Sequence, residues 1–146
     1  MKIRYYNVWS NDGEWVHGHP PRIWRASEVL CSSDESSENY SKYLLSSLST
    51  DFPAHHPEDM DEVLEDIERL EMGEIEKCYA GTPDTFKHTL TPTHVTFEHS
   101  IFGECPEWPI WTCTLAQYKA SLQGWRQFVD MPESIDTELI VDLPDG

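Results

Sequence analysis

Seven histidines and many carboxylates are the side chains in this chain best suited to do chemistry. A strand with x-His-x spacing can direct two imidazoles at one metal ion, so His17 and His19 are candidate ligands. Pro20 follows directly, and no third donor stands at a suitable spacing, which argues against a metal site. His17 and His19 with nearby carboxylates still define one alternative, a small metal-dependent enzyme.

Other catalytic arrangements lack a signature in this sequence. A catalytic pair of carboxylates needs one acid with a raised pKa beside one that stays ionised, and acids spread over a polar helix face do not suggest this. No glycine-rich phosphate loop, zinc-protease motif or serine-hydrolase motif occurs, and no serine or cysteine has the spacing of a nucleophile. We therefore predict no catalytic residue, no bound metal and no cofactor.

The segment from Pro57 to Glu76 is strongly acidic and supplies −9 of the formal net charge of −17. Its acids are Glu58, Asp59, Asp61, Glu62, Glu65, Asp66, Glu68, Glu71, Glu74 and Glu76, against the single base Arg69. Its apolar residues follow the spacing of one helix stripe: Met60, Val63, Leu64, Ile67 and Leu70. The pattern predicts a docked helix with an acidic outer face, which attracts basic proteins and repels phosphates.

Charge is unevenly distributed over the rest of the chain. Residues 1–56 carry −2 and residues 77–146 carry −6, and a second acidic run from Asp130 to Asp145 contains no base. Direct binding of nucleic acid requires a basic patch, which this sequence does not contain. Acidity by itself also keeps proteins soluble, but clustering of the acids favours a binding role.

The sequence also bears on location and on redox state. The N-terminus has no apolar run long enough for a signal peptide, and no stretch approaches the roughly 18 to 20 apolar residues of a membrane span. We therefore expect a cytoplasmic protein without a membrane partner. The four cysteines Cys31, Cys78, Cys105 and Cys113 form no CxxC pair, so we expect free and mostly buried thiols.

Two tryptophans are candidate anchors of a protein interface. Pro106 and Pro109 hold Trp108 and Trp111 in an extended loop or at a strand edge, where an exposed indole beside acidic positions binds partners well. By contrast, Trp125 lies on a helical apolar stripe and is expected in the core.

In the first half of the chain, periodicity predicts two strands and two helices. The predicted elements are a strand over Lys2–Trp9, a turn at Asn11-Asp12-Gly13, a short return strand over Glu14–His17, a helix from Ser37 to Pro53, and the acidic helix from Pro57 to Gly73. The linker from Ser32 to Ser37 offers several candidates for the N-cap of the first helix.

In the second half, the period changes from 3.6 to about 2 after Gly73. Strands are predicted at 75–80, Thr85–Leu90, His94–His99, Ile110–Cys113 and Glu138–Leu143, and a helix is predicted between Thr114 and Pro132, with a Thr114–Gln117 capping box. Residues 1–146 are thus expected to form one α+β domain, with two to three helices packed on one face of a mostly antiparallel sheet.

Several of these segments together resemble a known class of protein. They are the helix ending in Leu70-Glu71-Met72-Gly73, the strand His94-Val95-Thr96-Phe97-Glu98, and the runs Trp111-Thr112-Cys113-Thr114-Leu115 and Gly124-Trp125-Arg126-Gln127-Phe128. Over residues 57–130 the chain resembles immunity proteins of bacterial contact-dependent growth inhibition and related polymorphic toxin systems. These proteins form many unrelated families without a shared catalytic motif. The resemblance implies a non-catalytic cytoplasmic protein that binds and blocks a cognate toxin domain, often a basic nuclease.

Our hypothesis is therefore an immunity protein whose acidic helix binds a basic toxin domain. The predicted contact residues are Glu58, Asp61, Glu62, Glu65, Asp66 and Glu68, with Trp108 and Trp111 as apolar anchors. The segment Asp136 to Asp145 competes for the same role. The alternatives are a DNA mimic that inhibits a nucleic-acid-binding protein, the metal-dependent enzyme, and a structural domain without a partner. The oligomeric state is left open.

Overall fold

The computed structural model describes residues 1–30 and 35–145. Their strands form two antiparallel sheets, and helices pack between the sheets. The strands are β1 (Lys2–Trp9), β2 (Ile23–Leu30), β3 (Cys78–Gly81), β4 (Phe86–Leu90), β5 (His94–His99), β6 (Trp111–Thr114) and β7 (Glu138–Asp142). The helices are α1 (Glu35–Asn39), α2 (Ser46–Asp51), α3 (Pro57–Glu71) and α4 (Leu115–Val129). The α+β class with antiparallel pairing is confirmed, and the strands divide between two sheets.

The first sheet has the order β2-β1-β7, with β1 at its centre. The predicted strand is confirmed, and Ile3, Tyr5 and Asn7 are buried along it between more exposed neighbours, whereas Trp9 is 41% exposed. The predicted return strand over Glu14–His17 is wrong. β1 pairs instead with β2, in a register that places Lys2 opposite Leu30.

Local backbone geometry explains why residues 14–17 do not pair with β1. Asn11 and Asp12 adopt positive φ angles of 52° and 53° within a 3₁₀ turn at Ser10–Gly13. Val16 and His19 then exchange backbone hydrogen bonds of 3.2 and 2.9 Å, which closes a second tight turn. The chain can return alongside β1 only after these two turns. β2 was not predicted, because its half-buried residues do not alternate between apolar and polar types.

The second sheet is the meander β3-β4-β5-β6. Its strands lie where the period of about 2 predicts them, with β5 matching at both ends and the others shifted by one to three residues. Thr91 donates its backbone N–H to the carbonyl of His94 at 2.9 Å, which closes the turn between β4 and β5. Leu90, Val95 and Cys113 lie opposite one another across three strands and are buried.

The first helical segment spans residues 35–51 and includes a π-helical stretch, Tyr40–Leu45, between α1 and α2. The predicted helix is confirmed, and one face of it packs inward, since Tyr43, Leu44 and Leu48 are buried and Tyr40 is half-buried. The helix ends at Asp51, two residues before Pro53. Of the predicted N-cap linker, residues 32–34 lie outside the described residues, as does Cys31.

α4 connects the two sheets, because it contacts β1, β5, β6 and β7. Its predicted capping box is confirmed: the Thr114 hydroxyl accepts from the backbone N–H of Gln117 at 3.1 Å, and the Gln117 side chain accepts from the N–H of Thr114 at 3.1 Å. Tyr118 and Leu122 on its inner stripe are fully buried. Within the described ranges, no helix is long and apolar enough to cross a membrane.

The core forms where the inner faces of both sheets meet α4 and the first helical segment. The ring of Tyr5 lies 5.6 Å from that of Trp125, and its hydroxyl donates to the carbonyl of Ser121 at 2.7 Å. The thiol of Cys113 is buried, as expected, whereas Cys78 and Cys105 are only half-buried. All three of these cysteines are free.

Candidate functional site

The acidic helix α3 is positioned by its apolar stripe. Met60, Ile67 and Leu70 are at most 1% exposed, and Val63 and Leu64 are half-buried against the core. Because these five residues face inward, the acidic residues between them are directed toward solvent. The prediction of a docked helix with an acidic outer face is confirmed.

Both ends of α3 are set by the residue types that the sequence places there. Pro57 occupies the first turn, where its missing N–H removes no helical hydrogen bond. At the other end Gly73 has a φ of 76°, and its N–H bonds to the carbonyl of Leu70 at 3.2 Å. Glu74 donates to the carbonyl of Arg69 at 2.9 Å, which completes a Schellman motif.

Two ion pairs orient α3 on α4. Arg126 donates from Nε to Asp61 at 2.9 Å, and Lys119 donates from Nζ to Glu71 at 2.8 Å. The hydrogen bonds that Arg126 donates, first to Asp61 and second to Asp130, raise the pKa of its guanidinium. Exposed pairs of this kind contribute little to stability, and the buried apolar stripe rather than these pairs determines which side of α3 faces outward. Asp61 is therefore already engaged within the molecule.

Three of the predicted contact residues form no ion pair with another described residue, although Lys119, which pairs with Glu71, lines the same surface depression as Glu65 and Glu68. Glu62, Glu65 and Glu68 are exposed, and none of them forms an ion pair with any residue in the ranges 1–30 and 35–145. Glu58 lies 3.0 Å from the ring of His56, and a backbone hydrogen bond, followed by the one from His56, lowers its pKa. Asp66 is half-buried and lies 3.5 Å from Arg69. We call Glu62, Glu65 and Glu68 the open acidic face.

Two of the four acids in the competing segment Asp136 to Asp145 form ion pairs with bases, as do Asp130 and Glu133 just before it. The pairs are Asp130 with Arg126 at 2.6 Å, Glu133 with Arg25 at 3.0 Å, Glu138 with Arg4 at 2.7 Å, and Asp142 with Lys2 at 3.1 Å. Two hydrogen-bonded carboxylates raise the pKa of the Arg4 guanidinium, first Glu138 and then Glu28. The unpaired negative charge is thus concentrated on α3 rather than on the C-terminal segment.

Trp108 and Trp111, the predicted anchors, are half-buried against the core. The Trp111 ring stacks on Tyr43 with centroids 5.5 Å apart, and meets Tyr40 edge-on at 4.9 Å. Trp108 packs edge-on against Phe86 at 5.5 Å, while part of its ring lines a surface groove. No hydrogen bond, ion pair or ring contact between described residues joins either indole to α3. The structure therefore does not bring the two predicted halves of the interface into contact.

The most exposed indoles belong to the β1–β2 hairpin. Trp15 is 68% exposed, Trp24 57% and Trp9 41%. Trp24 lies opposite Val8 in the strand register, so the two share the outer face of the first sheet. No sequence signal indicated this exposure, because β2 was not predicted and the face of Trp24 was therefore unknown.

His17 and His19 lie on a tight turn instead of the strand that the metal hypothesis needs. Both are exposed, and His17 has a φ of 51° between the bridged residues Val16 and His19. Across the described residues, no group of three or more His, Cys, Asp and Glu side chains is placed to hold a metal ion. The alternation that would direct both imidazoles at one ion is absent from this turn.

A buried polar network joins Asp51, His88 and Tyr118. The Tyr118 hydroxyl lies 2.9 Å from Nδ1 of His88, and Nε2 of the same ring lies 3.1 Å from Oδ2 of Asp51, outside hydrogen-bond geometry. The other oxygen of Asp51 accepts from Thr82 at 3.0 Å and Thr85 at 2.5 Å. Burial raises the pKa of Tyr118 well above its usual range, and the charge of Asp51 raises it further.

This network joins residue types that can relay a proton, but its position excludes substrate. The side chains of His88 and Asp51 are 0% and 1% exposed, so a reactant cannot reach them without opening the core. Its role in the described fold is to connect α2, β4 and α4. The network was missed from the sequence, because His88 alternates with more exposed residues along β4. Its partners Asp51 and Tyr118 lie on elements that are distant in sequence.

No match to this chain emerges from comparison with protein-family models, curated proteins or solved structures. Among the described residues, the candidate site is the open acidic face of α3, whose carboxylates form no ion pair. Exposed aromatic residues lie elsewhere on the surface.

Proposed function

We propose that this chain is a non-catalytic immunity protein that binds and neutralises a cognate basic toxin domain. The single observation that carries the proposal is the open acidic face of Glu62, Glu65 and Glu68 on a docked helix, without an ion pair among the described residues. A nuclease is the expected kind of toxin, because it presents Lys and Arg side chains that hold substrate phosphates. The site of action would be the cytoplasm of the producing cell.

Electrostatics supports this role through kinetics and specificity. Clustered carboxylates of one sign steer a basic partner toward the correct face and accelerate association. They also repel nucleic acid, so the protein would compete with the substrate of a nuclease without binding that substrate. Pairing of Glu138 with Arg4 and of Asp142 with Lys2 favours α3 over the segment Asp136 to Asp145 as the contact surface.

The experiment is a capture of partners from lysate of the native host, at low salt and again at about 0.5 M salt, where the Debye length falls to a few ångströms. Wild-type protein should retain one basic toxin fragment through the second wash. A variant with Glu62→Lys, Glu65→Lys and Glu68→Lys should lose it. The matched control, Glu14→Lys, Asp136→Lys and Asp145→Lys, makes the same change in net charge on exposed acids away from α3 and should retain the fragment.

The recovered fragment then decides between the proposal and a DNA mimic. A toxin domain encoded beside this chain, whose activity in a purified assay is blocked by the wild-type protein, supports the immunity role. Recovery of a nucleic-acid-binding protein that is not a toxin would favour the mimic. A salt-sensitive mixture of basic proteins, retained equally by both variants, would overturn the acidic-face model.

A further inference from the structure

The loop between β5 and β6 carries a surface groove of about 400 Å³. Its lining is largely apolar and consists of Phe102, Cys105, Glu107 and Trp108. Phe102 is 66% exposed, although its ring stacks on that of His99. An exposed aromatic ring that faces a half-buried indole across a groove is an arrangement typical of a site for one apolar side chain.

The walls of the groove are fixed before any partner arrives. Nδ1 of His99 accepts the backbone N–H groups of Ile101 and Phe102, each at 3.2 Å. The His99 ring lies 4.9 Å from the rings of both Phe102 and Trp108. Cys105 and Trp108 exchange backbone hydrogen bonds of 3.0 and 3.3 Å. A site held in this way loses little conformational entropy on binding.

The rim of the groove favours positive charge. Glu104 and Glu107 are exposed, and neither carboxylate forms an ion pair within the part of the chain that the structure describes. The ammonium of Lys42 lies 4.5 Å over the Trp108 ring and donates to the Glu107 carbonyl at 2.6 Å. This internal contact shows that a cation is accommodated beside the indole without pairing with either carboxylate, of which Glu104 accepts only the backbone N–H of Ile110, at 3.4 Å.

We propose that this groove takes one apolar side chain from an extended basic segment of a protein partner, with flanking Lys or Arg residues paired to Glu104 and Glu107. The inference rests on the proposed function to the extent that the partner is a basic protein. Charge complementarity selects this occupant. A second copy of the chain, or an anionic lipid surface, would be repelled by the net charge of −17.

The test titrates the full chain with the peptide Lys-Lys-Phe-Lys-Lys and follows the indole N–H signals by two-dimensional NMR. The Trp108 signal, assigned with Trp108→Phe, should shift and saturate in the millimolar range. Lys-Lys-Ala-Lys-Lys should bind at least about fivefold more weakly, because the apolar anchor carries most of the affinity. Phe102→Ala should weaken the aromatic peptide by a similar factor, whereas Ile140→Ala, a truncation of an exposed residue on the other sheet, should not.

Several outcomes would overturn the inference. Equal shifts with the two peptides would show that only charge is recognised, and an unchanged affinity in Phe102→Ala would exclude the groove. Absence of a saturable Trp108 shift would also refute it, provided that circular dichroism shows each variant folded. The combined variant Glu62→Lys, Glu65→Lys and Glu68→Lys should leave the ratio of the two peptide affinities at Trp108 unchanged, because the two peptides carry the same charge. Because no toxin takes part, failure of the groove and failure of the proposed function are observed separately.

Discussion

Oδ2 of Asp51 and Nε2 of His88 lie 3.1 Å apart in the core, with no other polar partner for either atom within the described structure. The contact joins the end of α2 to the middle of β4. Removal of one member leaves the other enclosed without a counterpart, and such losses destabilise proteins by about 3 to 5 kcal/mol. The pair is therefore a sensitive point of the fold.

We expect Asp51→Ala to lower the free energy of unfolding by about 3 to 5 kcal/mol, because Thr82 and Thr85 lose their acceptor and the buried ring of His88 loses the carboxylate beside it. The measurement is urea unfolding followed by tryptophan fluorescence. Asp136→Ala, on an exposed carboxylate without an ion pair among the described residues, is the control and should change the value by less than about 0.5 kcal/mol. Equal midpoints for the two variants would contradict a structural role for the network.

Close packing at Gly124 leads to a second prediction. A Cβ atom there would lie 2.6 Å from Cγ2 of Val141 and 3.1 Å from Cε2 of Tyr5. Gly124→Ala should destabilise the protein by about 1 to 3 kcal/mol, although alanine favours helix formation. Adding Val141→Ala should recover part of the loss, which a double-mutant cycle of thermal unfolding would reveal. Strict additivity of the two changes would disprove the clash.

The capping box of α4 predicts a smaller, residue-specific effect. Thr114→Ala removes the acceptor for the Gln117 N–H and should lower the free energy of unfolding by about 1 kcal/mol. Thr114→Ser keeps the hydroxyl and should stay close to wild type. The comparison requires only chemical denaturation curves of the two variants. A serine variant as unstable as the alanine variant would show that the methyl group, not the cap, matters.

Buried acidic protons predict a loss of stability at alkaline pH. Burial raises the pKa of the Cys113 thiol to about 12, and it raises that of Tyr118 as well. The folded chain therefore keeps protons that the unfolded chain releases above about pH 8.5 for the thiol and about pH 10 for the phenol. Stability is full below those values and falls as pH rises, by at most about 1.4 kcal/mol per pH unit for each group.

Urea midpoints between pH 7 and pH 11 measure this effect. The Cys113→Ala variant removes the thiol proton, so its stability should decline less steeply above about pH 8.5. If wild type and variant decline in parallel, the thiol does not take part.

Like-charge repulsion on α3 predicts a substitution that raises stability. Every neighbour of Glu62 at three or four residues is an acid: Glu58, Asp59, Glu65 and Asp66. Glu62→Lys should therefore raise the thermal midpoint, with a gain on the order of a few tenths of a kcal/mol for each neighbouring acid. Glu138→Lys, which breaks the 2.7 Å pair with Arg4, should lower it. A fall for both variants would show that repulsion on α3 is negligible.

Local signals in the sequence were sufficient for most helices and for the meander. The stripe of α3, the proline that begins it, the glycine that follows it and the capping box of α4 act within a few residues, so they are visible without knowledge of the rest of the chain. The α+β class followed from the order of these elements. In the first sheet, by contrast, β2 was missed, because a half-buried edge strand need not alternate and the turns before it displaced the return of the chain.

The sequence by itself determined the acidic helix and the sign of the charge that it presents. Only the tertiary structure decided which acids keep that charge unpaired. Arg126 reaches Asp61 and Arg4 reaches Glu138 across long sequence separations, whereas Glu62, Glu65 and Glu68 receive no base within the described structure. It also decided that Trp15 and Trp24 are exposed while Trp111 stacks on Tyr43. The physical reason is the same in each case: neutralisation and burial depend on contacts between segments that the chain brings together only when it folds.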